Sequence, residues 1–296
     1  MNILIIGSKG FIGSACFEYF SNQHNVIGLD IKGISNGSYL KLSNILEIKS
    51  ILNVNKFDVC INASGSPGVG YSFDNPDKDY ELNVSNVDFI LSVIKDYSPN
   101  TKFINFSSAA VYGNPANLPL TEDSPLTPLS PYGKHKLESE KLLKEYHETF
   151  GIKTCSLRVF SAYGPNLKKQ LFWDVFIKWK ANPDNICLFG TGMETRDFIH
   201  ITDLLDAVGS VINHHFFDGG VLNIASGSQV TIHHAVSLFL DFLNRDYQLK
   251  FSGEEKIGDP SNWLSDIRKL RELGFSPQIA LSAGLKSVAN HYISVN

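Results

Sequence analysis

A tyrosine and a lysine stand four residues apart, at positions 132 and 136, in a stretch with the residue pattern of a helix. Residues at that spacing lie on one face of a helix, one turn apart, so Tyr132 and Lys136 can act together. A phenol in such a position can exchange a proton with a reacting group. The pair also arises readily by chance in a chain with 11 tyrosines, so it needs support from the rest of the sequence.

That support comes from a serine-containing segment at the end of a predicted strand, Ser107-Ser108-Ala-Ala-Val-Tyr-Gly. Ligand chemistry in open parallel sheets collects at the carboxyl ends of the strands. The two serines are therefore expected at the same edge of the protein as a bound ligand.

A glycine-rich turn, Gly7-Ser-Lys-Gly10-Phe-Ile-Gly13, joins the first predicted strand to the first predicted helix. Glycine permits a tight turn, approach of the backbone to a pyrophosphate and close packing of helix on strand. The free N–H groups at the start of the helix favour phosphate. The spacing GxxGxxG matches the dinucleotide pattern GxGxxG only in part, but it still indicates a dinucleotide site.

Asp30 ends the second predicted strand, where a carboxylate accepts hydrogen bonds from the adenosine ribose and repels a 2′-phosphate. Lys9, in the glycine turn, favours NADP instead, because a cation there can bind a 2′-phosphate. The balance predicts NAD in preference to NADP.

The elements that position these residues alternate between strands and helices. Apolar strand-like runs cover residues 2–6, 25–30, 58–62, 102–107 and 153–158, and amphipathic helices cover residues 11–20, 79–97 and 131–150. This alternation predicts a doubly wound α/β fold of the Rossmann type, with a parallel sheet covered on both faces. The helix at 131–150 is the best marked, with Ser130 as its cap, Pro131 in its first turn and Gly151 after its end.

Bulk properties argue against several other classes of protein. The net charge of −4 disfavours nucleic acid or an anionic membrane as the main partner. The four cysteines form no CxxC pair, and the histidines at 214–215 and 233–234 are adjacent, so no metal site or disulfide scaffold is predicted. The sequence offers neither a signal peptide nor an apolar run long enough for a membrane span, and the expected location is cytoplasmic.

As an ordered set, these motifs resemble those of the extended short-chain dehydrogenase/reductase family, and within it the nucleotide-sugar epimerases and dehydratases. The resemblance covers nearly the whole chain. It rests on GSKGFIG at 7–13, NASG at 62–65, SSAAVYG at 107–113, PYGKHK at 131–136, LRVFSAYGP at 157–165, and FGTG with TRDFIH at 189–200.

The resemblance implies that Tyr132 is the general acid/base, with its pKa lowered by the Lys136 ammonium and the cationic nicotinamide. It implies that Ser108 binds the reacting sugar hydroxyl. The cofactor contacts that it implies are Gly7, Gly10, Phe11, Ile12, Gly13, Asp30, Ile31, Asn44, Ile45, Asn62, Ala63, Ser64, Gly65, Ser107, Tyr132, Lys136 and Phe160. The substrate contacts that it implies are Ser108, Ser161, Phe189, Arg196 and Lys256, with Phe189 on the base and Arg196 on the diphosphate.

The sequence departs from the family pattern at several of these positions. Ser161 replaces the usual Asn that faces the sugar diphosphate, and Lys256 replaces a second Arg, which loses bidentate phosphate contact. Asn44 stands where Asp is more common. Pro67 lies in a loop where some epimerases carry a basic residue.

The residues after Ser108 narrow the reaction. Family dehydratases carry Asp-Glu there and decarboxylases keep the Glu, whereas this chain has Ala109 and Ala110. A nucleotide-sugar 4-epimerase, in which hydride leaves C4 for NAD and returns to the other face, is the first expectation. A 4-keto-sugar reductase or C4 dehydrogenase is the second, and a non-catalytic NAD-binding sensor is the alternative from another class.

The expected organisation is an NAD-binding Rossmann domain at 1–165, rejoined by about 198–227, and a nucleotide-sugar-binding domain at 166–296. In many family members, the helices that match residues 79–97 and 131–150 form a dimer interface. That analogy alone implies a homodimer here.

Overall fold

The computed structural model describes residues 1–66, 68–214, 217–254 and 258–295. The strands, numbered along the chain, are β1 (Asn2–Ile6), β2 (Asn25–Asp30), β3 (Tyr39–Lys41), β4 (Val59–Asn62), β5 (Lys102–Ser108), β6 (Thr154–Val159), β7 (Ser161–Tyr163), β8 (Ile186–Leu188), β9 (Thr195–His200), β10 (Asp218–Ile224), β11 (Gln229–Thr231) and β12 (Leu249–Phe251). The α-helices are α1 (Phe11–Ser21), α2 (Glu47–Val54), α3 (Val69–Asp74), α4 (Pro76–Tyr80), α5 (Asn86–Tyr97), α6 (Pro131–Phe150), α7 (Gln170–Ala181), α8 (Ile201–His214), α9 (Ile232–Asp241), α10 (Arg268–Glu272) and α11 (Leu281–Val295).

Seven strands form one parallel sheet in the order β10-β6-β5-β4-β1-β2-β3. Strand β1 pairs with β2 on one side and with β4 on the other, so that Ile3 lies opposite both Val26 and Val59. The direction in which strands are added therefore reverses beside β1. In sheets of this kind, ligands bind in the crevice outside the carboxyl ends of the strands at that point. The predicted Rossmann-type fold is confirmed.

The two faces of β1 bury different side chains. Ile3 and Ile5 belong to one apolar cluster and Leu4 and Ile6 to another, and all four are at most 4% exposed. Successive side chains of a strand point to opposite faces, so an uninterrupted apolar strand requires cover on both. Helices α1 and α8 pack on the first face, and α2 and α5 on the second.

Helix α6 has the predicted bounds and the predicted ends. The Ser130 Oγ accepts a hydrogen bond from the Gly133 N–H at 3.1 Å, and Gly151 adopts φ 70°. This helix therefore presents its first turn, which carries Tyr132, at a fixed place. Within the described ranges, no helix combines the length and apolar character that crossing a membrane requires.

The predicted helix at 79–97 is present, but it is not a regular α-helix throughout. Helix α4 continues through a π-helical turn (Glu81–Ser85) into α5, and the sequence did not predict this turn. A π-turn inserts an extra residue into a helix and is frequent at functional sites. Here Asp79 and Asn83 are both buried, with exposures of 0% and 1%.

A second group of elements lies beyond the large sheet. It contains the three-stranded sheet β11-β9-β7 and the pair β12-β8. Helices α7, α9 and α11 enclose a third apolar cluster, in which Phe172 and Phe176 of α7 are buried. Trp173 and Trp179 pack against the same cluster.

The chain returns to the large sheet after this excursion. Helix α8 contributes to the cluster under β1, and β10 pairs in parallel with β6. We therefore propose a cofactor-binding unit of residues 1–165, completed by about 198–227, with the remainder of 166–296 as the second unit.

Candidate active site

The glycine turn lies between β1 and α1, at the point where the strand order reverses. Gly7 adopts φ +81°, and a Cβ on Gly13 would lie 2.1 Å from the Gly7 carbonyl oxygen, so both positions require glycine. The first residues of α1 are Phe11 and Ile12, and Gly10 provides no side-chain cap. The N–H groups of that first turn are therefore available to an anion.

Asp30 lies beside this turn. Its Oδ2 accepts the Lys9 N–H at 2.9 Å and its Oδ1 accepts the Lys32 N–H at 3.0 Å, which fixes the carboxylate at the end of β2. The Lys9 ammonium lies over the Tyr39 ring, 4.0 Å from its centroid. Ile31 is exposed next to Asp30.

Replacing Asp30 should change the choice of cofactor. Hydrogen bonds to a charged group contribute about 1.5–3 kcal/mol, so Asp30→Ala should narrow the preference for NAD over NADP by about tenfold or more. Calorimetric titration with both dinucleotides measures this, with the exposed Asp184→Ala as the matched control. A native protein that binds NADP more tightly contradicts the assignment.

The turn after β4 comes next to the catalytic lysine. Asn62 is buried and shapes this turn, because its Oδ1 accepts hydrogen bonds from the Ser64 N–H at 3.2 Å and the Ser64 hydroxyl at 2.6 Å. Ala63 follows, and Gly65 adopts φ +140°. A Cβ at Gly65 would lie 3.4 Å from the Lys136 Nζ, so the backbone there passes directly beside the lysine.

Two predicted adenine contacts lie apart from this centre. Asn44 and Ile45 follow β3, at the far edge of the large sheet. The Asn44 Oδ1 accepts the Leu46 N–H at 2.9 Å, and Ile45 packs against the second apolar cluster.

The three predicted catalytic residues meet where β5 ends and α6 begins. The Ser108 side chain lies near enough to the Tyr132 hydroxyl to lower its pKa. The Lys136 Nζ donates to the Phe106 carbonyl oxygen at 2.8 Å and lies 5.7 Å from the centroid of the Tyr132 ring. The Ser108 Oγ also accepts the Ala110 N–H at 3.2 Å, which fixes its direction.

The acid–base properties differ from the expectation in one respect. Burial raises the pKa of Tyr132 to about 12, although the nearby Ser108 side chain opposes this rise. Burial also lowers the pKa of Lys136 to about 8, against the negative charges of Asp79 and Glu140. The protein groups thus raise the pKa of Tyr132 instead of lowering it, because loss of hydration outweighs the other effects.

Ser107 and Phe160 point away from the catalytic residues. The Ser107 Oγ donates to Glu140 Oε1 at 2.5 Å on the opposite face of β5. Phe160 is 5% exposed and packs against Tyr112 and Trp263. Both side chains are thus engaged in contacts within the protein, and the cofactor contacts expected of Ser107 and Phe160 stay predictions.

Three of the predicted substrate residues, Ser161, Phe189 and Arg196, lie in the second group of elements. Phe189 is 57% exposed and precedes a turn that the Glu194 carboxylate fixes through the Thr191 and Gly192 N–H groups. The Arg196 Nη1 donates to the Thr195 carbonyl oxygen at 2.8 Å.

Two features set the environment of the predicted diphosphate contact. The Arg196 guanidinium lies 5.4 Å from the centroid of the Trp263 ring, and burial lowers its pKa. Ser161 is partly buried in β7, opposite Phe198 of β9. Lys256 and Pro67 lie outside the described residues.

Across the described ranges, no group of three or more His, Cys, Asp or Glu side chains is placed to hold a metal ion.

A buried ion pair behind the catalytic residues escaped the sequence analysis. Arg158 is bidentate to Glu140, with Nε–Oε1 at 3.0 Å and Nη2–Oε2 at 2.7 Å. The Arg158 Nη1 also donates to the Tyr112 hydroxyl at 2.9 Å. The only local signal is that Glu140 follows Lys136 by one helical turn. The pair joins α6 to β6, the strand beside the one that carries Ser107 and Ser108.

A Rossmann-type sheet with serine, tyrosine and lysine beside its switch point defines the extended short-chain dehydrogenase/reductase class. Within that class, the model of the NAD dependent epimerase/dehydratase family matches residues 3–225, and the chain belongs to that family.

Individual relatives agree with this assignment. The uncharacterized UDP-glucose epimerase YtcB of Bacillus subtilis (strain 168) is 32% identical, over 96% of each chain. The UDP-glucuronic acid 4-epimerase of Bacillus cereus, solved with UDP-glucuronic acid and NAD, has a TM-score of 0.90 at 27% identity over 100% of both chains. The UDP-N-acetylglucosamine 4-epimerase of Methanobrevibacter ruminantium M1 has a TM-score of 0.88 at 25% identity, over 99% of this chain and 98% of its own.

Proposed function

We propose that this protein is an NAD-dependent 4-epimerase of a UDP-linked sugar. The observation that carries the proposal is the meeting of Ser108, Tyr132 and Lys136 beside the glycine turn. Ala109 and Ala110 follow Ser108, where a dehydratase needs carboxylates. Solved relatives that match the whole chain bind UDP-sugars, and the Bacillus cereus enzyme also binds NAD.

The residues around the switch point fit a dinucleotide. Gly7 and Gly13 leave room for close backbone approach, and the uncapped start of α1 offers N–H groups to the pyrophosphate. The Asp30 carboxylate can accept hydrogen bonds from the ribose hydroxyls. NAD bound there supplies the acceptor and donor of the hydride.

The remaining chemistry belongs to side chains of this chain. Tyr132 takes the proton of the sugar 4-hydroxyl and gives it back, and Ser108 orients that hydroxyl. With its pKa at about 8, Lys136 remains mostly protonated at neutral pH, so its ammonium stabilises the phenolate. Because burial opposes ionisation of Tyr132, it is the phenolate, the form that accepts the sugar proton, that needs this cation.

Substrate binding falls to the second group of elements. Arg196 retains donors that can bind the diphosphate as a fork, and the exposed Phe189 can stack on the base. Lys256 completes this proposed set. A clamp on the diphosphate leaves the sugar ring free to turn and present its other face.

The test of the proposal is whether the hydride removed from the sugar returns to the same sugar. An epimerase returns the hydride to the same sugar, so we expect inversion at C4 of a UDP-sugar without added cofactor and without net change in reduced-nicotinamide absorbance. Nuclear magnetic resonance in deuterated water should show inversion with no deuterium at C4. Stoichiometric production or consumption of reduced cofactor, without inverted sugar, identifies a dehydrogenase or reductase instead. A protein that binds NAD and leaves every UDP-sugar unchanged identifies a sensor.

We further propose a homodimer built on α5 and α6. Their outer faces carry partly exposed aromatic side chains, with Tyr97 37% and Phe150 50% exposed, and sedimentation velocity measures the assembly. We place the enzyme in the cytoplasm, as a supplier of nucleotide sugar for polysaccharide biosynthesis. Cell fractionation tests that location.

A further inference from the structure

A fully buried carboxylate lies beside the catalytic pair, and the proposed reaction does not use it. Asp79 of α4 is 0% exposed. Its Oδ2 lies 2.6 Å from the Nδ1 of His135, and its Oδ1 accepts a hydrogen bond from the Ser66 hydroxyl. A buried charge is costly unless it is paired, so this arrangement calls for an explanation.

The partner His135 sits within the catalytic turn of α6. It follows Tyr132 by three residues and immediately precedes Lys136, and its side chain is 15% exposed. The negative charge of Asp79 reaches both neighbours, since it raises the pKa of Tyr132 and that of Lys136. The carboxylate is therefore electrostatically part of the site.

The same carboxylate holds the turn that follows β4. Ser66 donates to it, and the Asn83 Nδ2 donates to the Ser66 Oγ at 3.1 Å and to the Asp79 carbonyl oxygen at 3.0 Å. Gly65, the residue before Ser66, is the one that passes beside Lys136. Asp79 thus connects α4, the turn after β4 and the first turns of α6.

We propose that Asp79 and His135 form a positioning pair for the Tyr132–Lys136 couple, joined by the hydrogen bond between the His135 Nδ1 and the Asp79 carboxylate. The pair fixes the lysine against the turn after β4 and sets the electrostatic potential at the phenol. This inference rests on the proposed function, which makes Tyr132 the acid/base of the reaction. Its test, a titration of Tyr132, needs no catalytic turnover.

Other titratable groups border the pair. On α6 they are Tyr132, Lys136, Glu138 and Glu140. The Tyr80 ring packs edge-on to His135, at 5.3 Å between centroids, and its hydroxyl donates to Glu138. The negative charge of Asp88 in α5 raises the pKa of Tyr80, and that of Glu140 raises the pKa of Lys136. Glu140 is already paired with Arg158, so Asp79 is the carboxylate whose removal tests the proposal.

The experiment follows the ionisation of Tyr132 in the NAD-bound protein by tyrosinate ultraviolet absorbance. Each titration is taken as the difference from the same protein with Tyr132→Phe added, and it needs no substrate. Removing a nearby negative charge favours the phenolate, so Asp79→Asn should move the Tyr132 titration to lower pH by about one unit. His135→Ala removes the imidazole that shares a hydrogen bond with the carboxylate. The full charge of Asp79 then acts on the phenol, so the titration should move to higher pH.

Glu81→Gln is the matched control, because this carboxylate is close in sequence but 53% exposed, and it should leave the titration unchanged. Retained NAD binding and unchanged circular dichroism establish folding. If Asp79→Asn does not fold, His135→Ala carries the test. An unchanged titration in the folded variants, or a shift of the same sign in both, overturns the proposal even in an active epimerase. Opposite shifts support it even if no sugar is epimerised.

Discussion

Replacing Tyr132 by phenylalanine should lower turnover by at least about 100-fold while NAD still binds. The phenol is the group proposed to move the proton of the sugar hydroxyl, since it lies beside Ser108 at the end of β5. The substitution removes one oxygen atom and leaves the ring and the start of α6 in place. Steady-state kinetics on a UDP-sugar, together with calorimetric titration of NAD, measures both parts of the expectation.

The matched control for this variant lies on the same helix. Tyr146→Phe removes a hydroxyl that donates to Asp88 Oδ1 at 2.8 Å, several turns from the site, and should leave turnover near normal. Turnover of Tyr132→Phe within a few-fold of the native protein removes Tyr132 from the mechanism. Loss of NAD binding in the same variant means that the tyrosine holds the cofactor as well.

The second large effect concerns stability. Arg158→Met should destabilise the protein by about 3–5 kcal/mol, because it leaves the buried Glu140 carboxylate without its cation. Arg158 and Glu140 are 3% and 5% exposed, so water cannot replace the lost partner. Chemical denaturation followed by circular dichroism measures the change.

Two further variants distinguish a buried charge from a general packing defect. The double variant Arg158→Met with Glu140→Leu removes both charges and should recover part of the loss. Lys144→Met disrupts the exposed pair Lys144–Glu148 on the same helix and should cost at most about 0.5 kcal/mol. A loss below about 1 kcal/mol in Arg158→Met would show that Glu140 is compensated by other groups.

Local signals explain why the sequence predicts α6 so well. The Ser130 cap, Pro131 and Gly151 all act within one turn of the helix ends, so no distant contact is needed to define them. The glycine turn is similar, because its geometry requires residues without a Cβ at fixed spacing. Tyr132, Lys136 and Ser108 were assigned from motifs, and the fold brings all three together.

Contacts between distant segments explain what the sequence did not predict. Asp79 and His135 are far apart in the chain, and neither residue type indicates a buried pair without the fold. The π-turn at Glu81–Ser85 lies inside the expected helix and contains no proline or glycine that could have indicated it. The pKa of Tyr132 depends on how deeply the phenol is buried, which motif spacing does not reveal.

The position of β10 has a consequence for the order in which the chain becomes available during synthesis. Strand β6 is buried along its whole length, and it is an unpaired edge until β10 covers it. At about 5–20 residues per second, the roughly 60 residues between the two strands take about 3–12 seconds to emerge. During that interval, the nascent chain displays an apolar strand edge of the kind that pairs with other chains. Slower elongation lengthens this interval, so the protein should aggregate more when it is expressed under conditions that slow elongation.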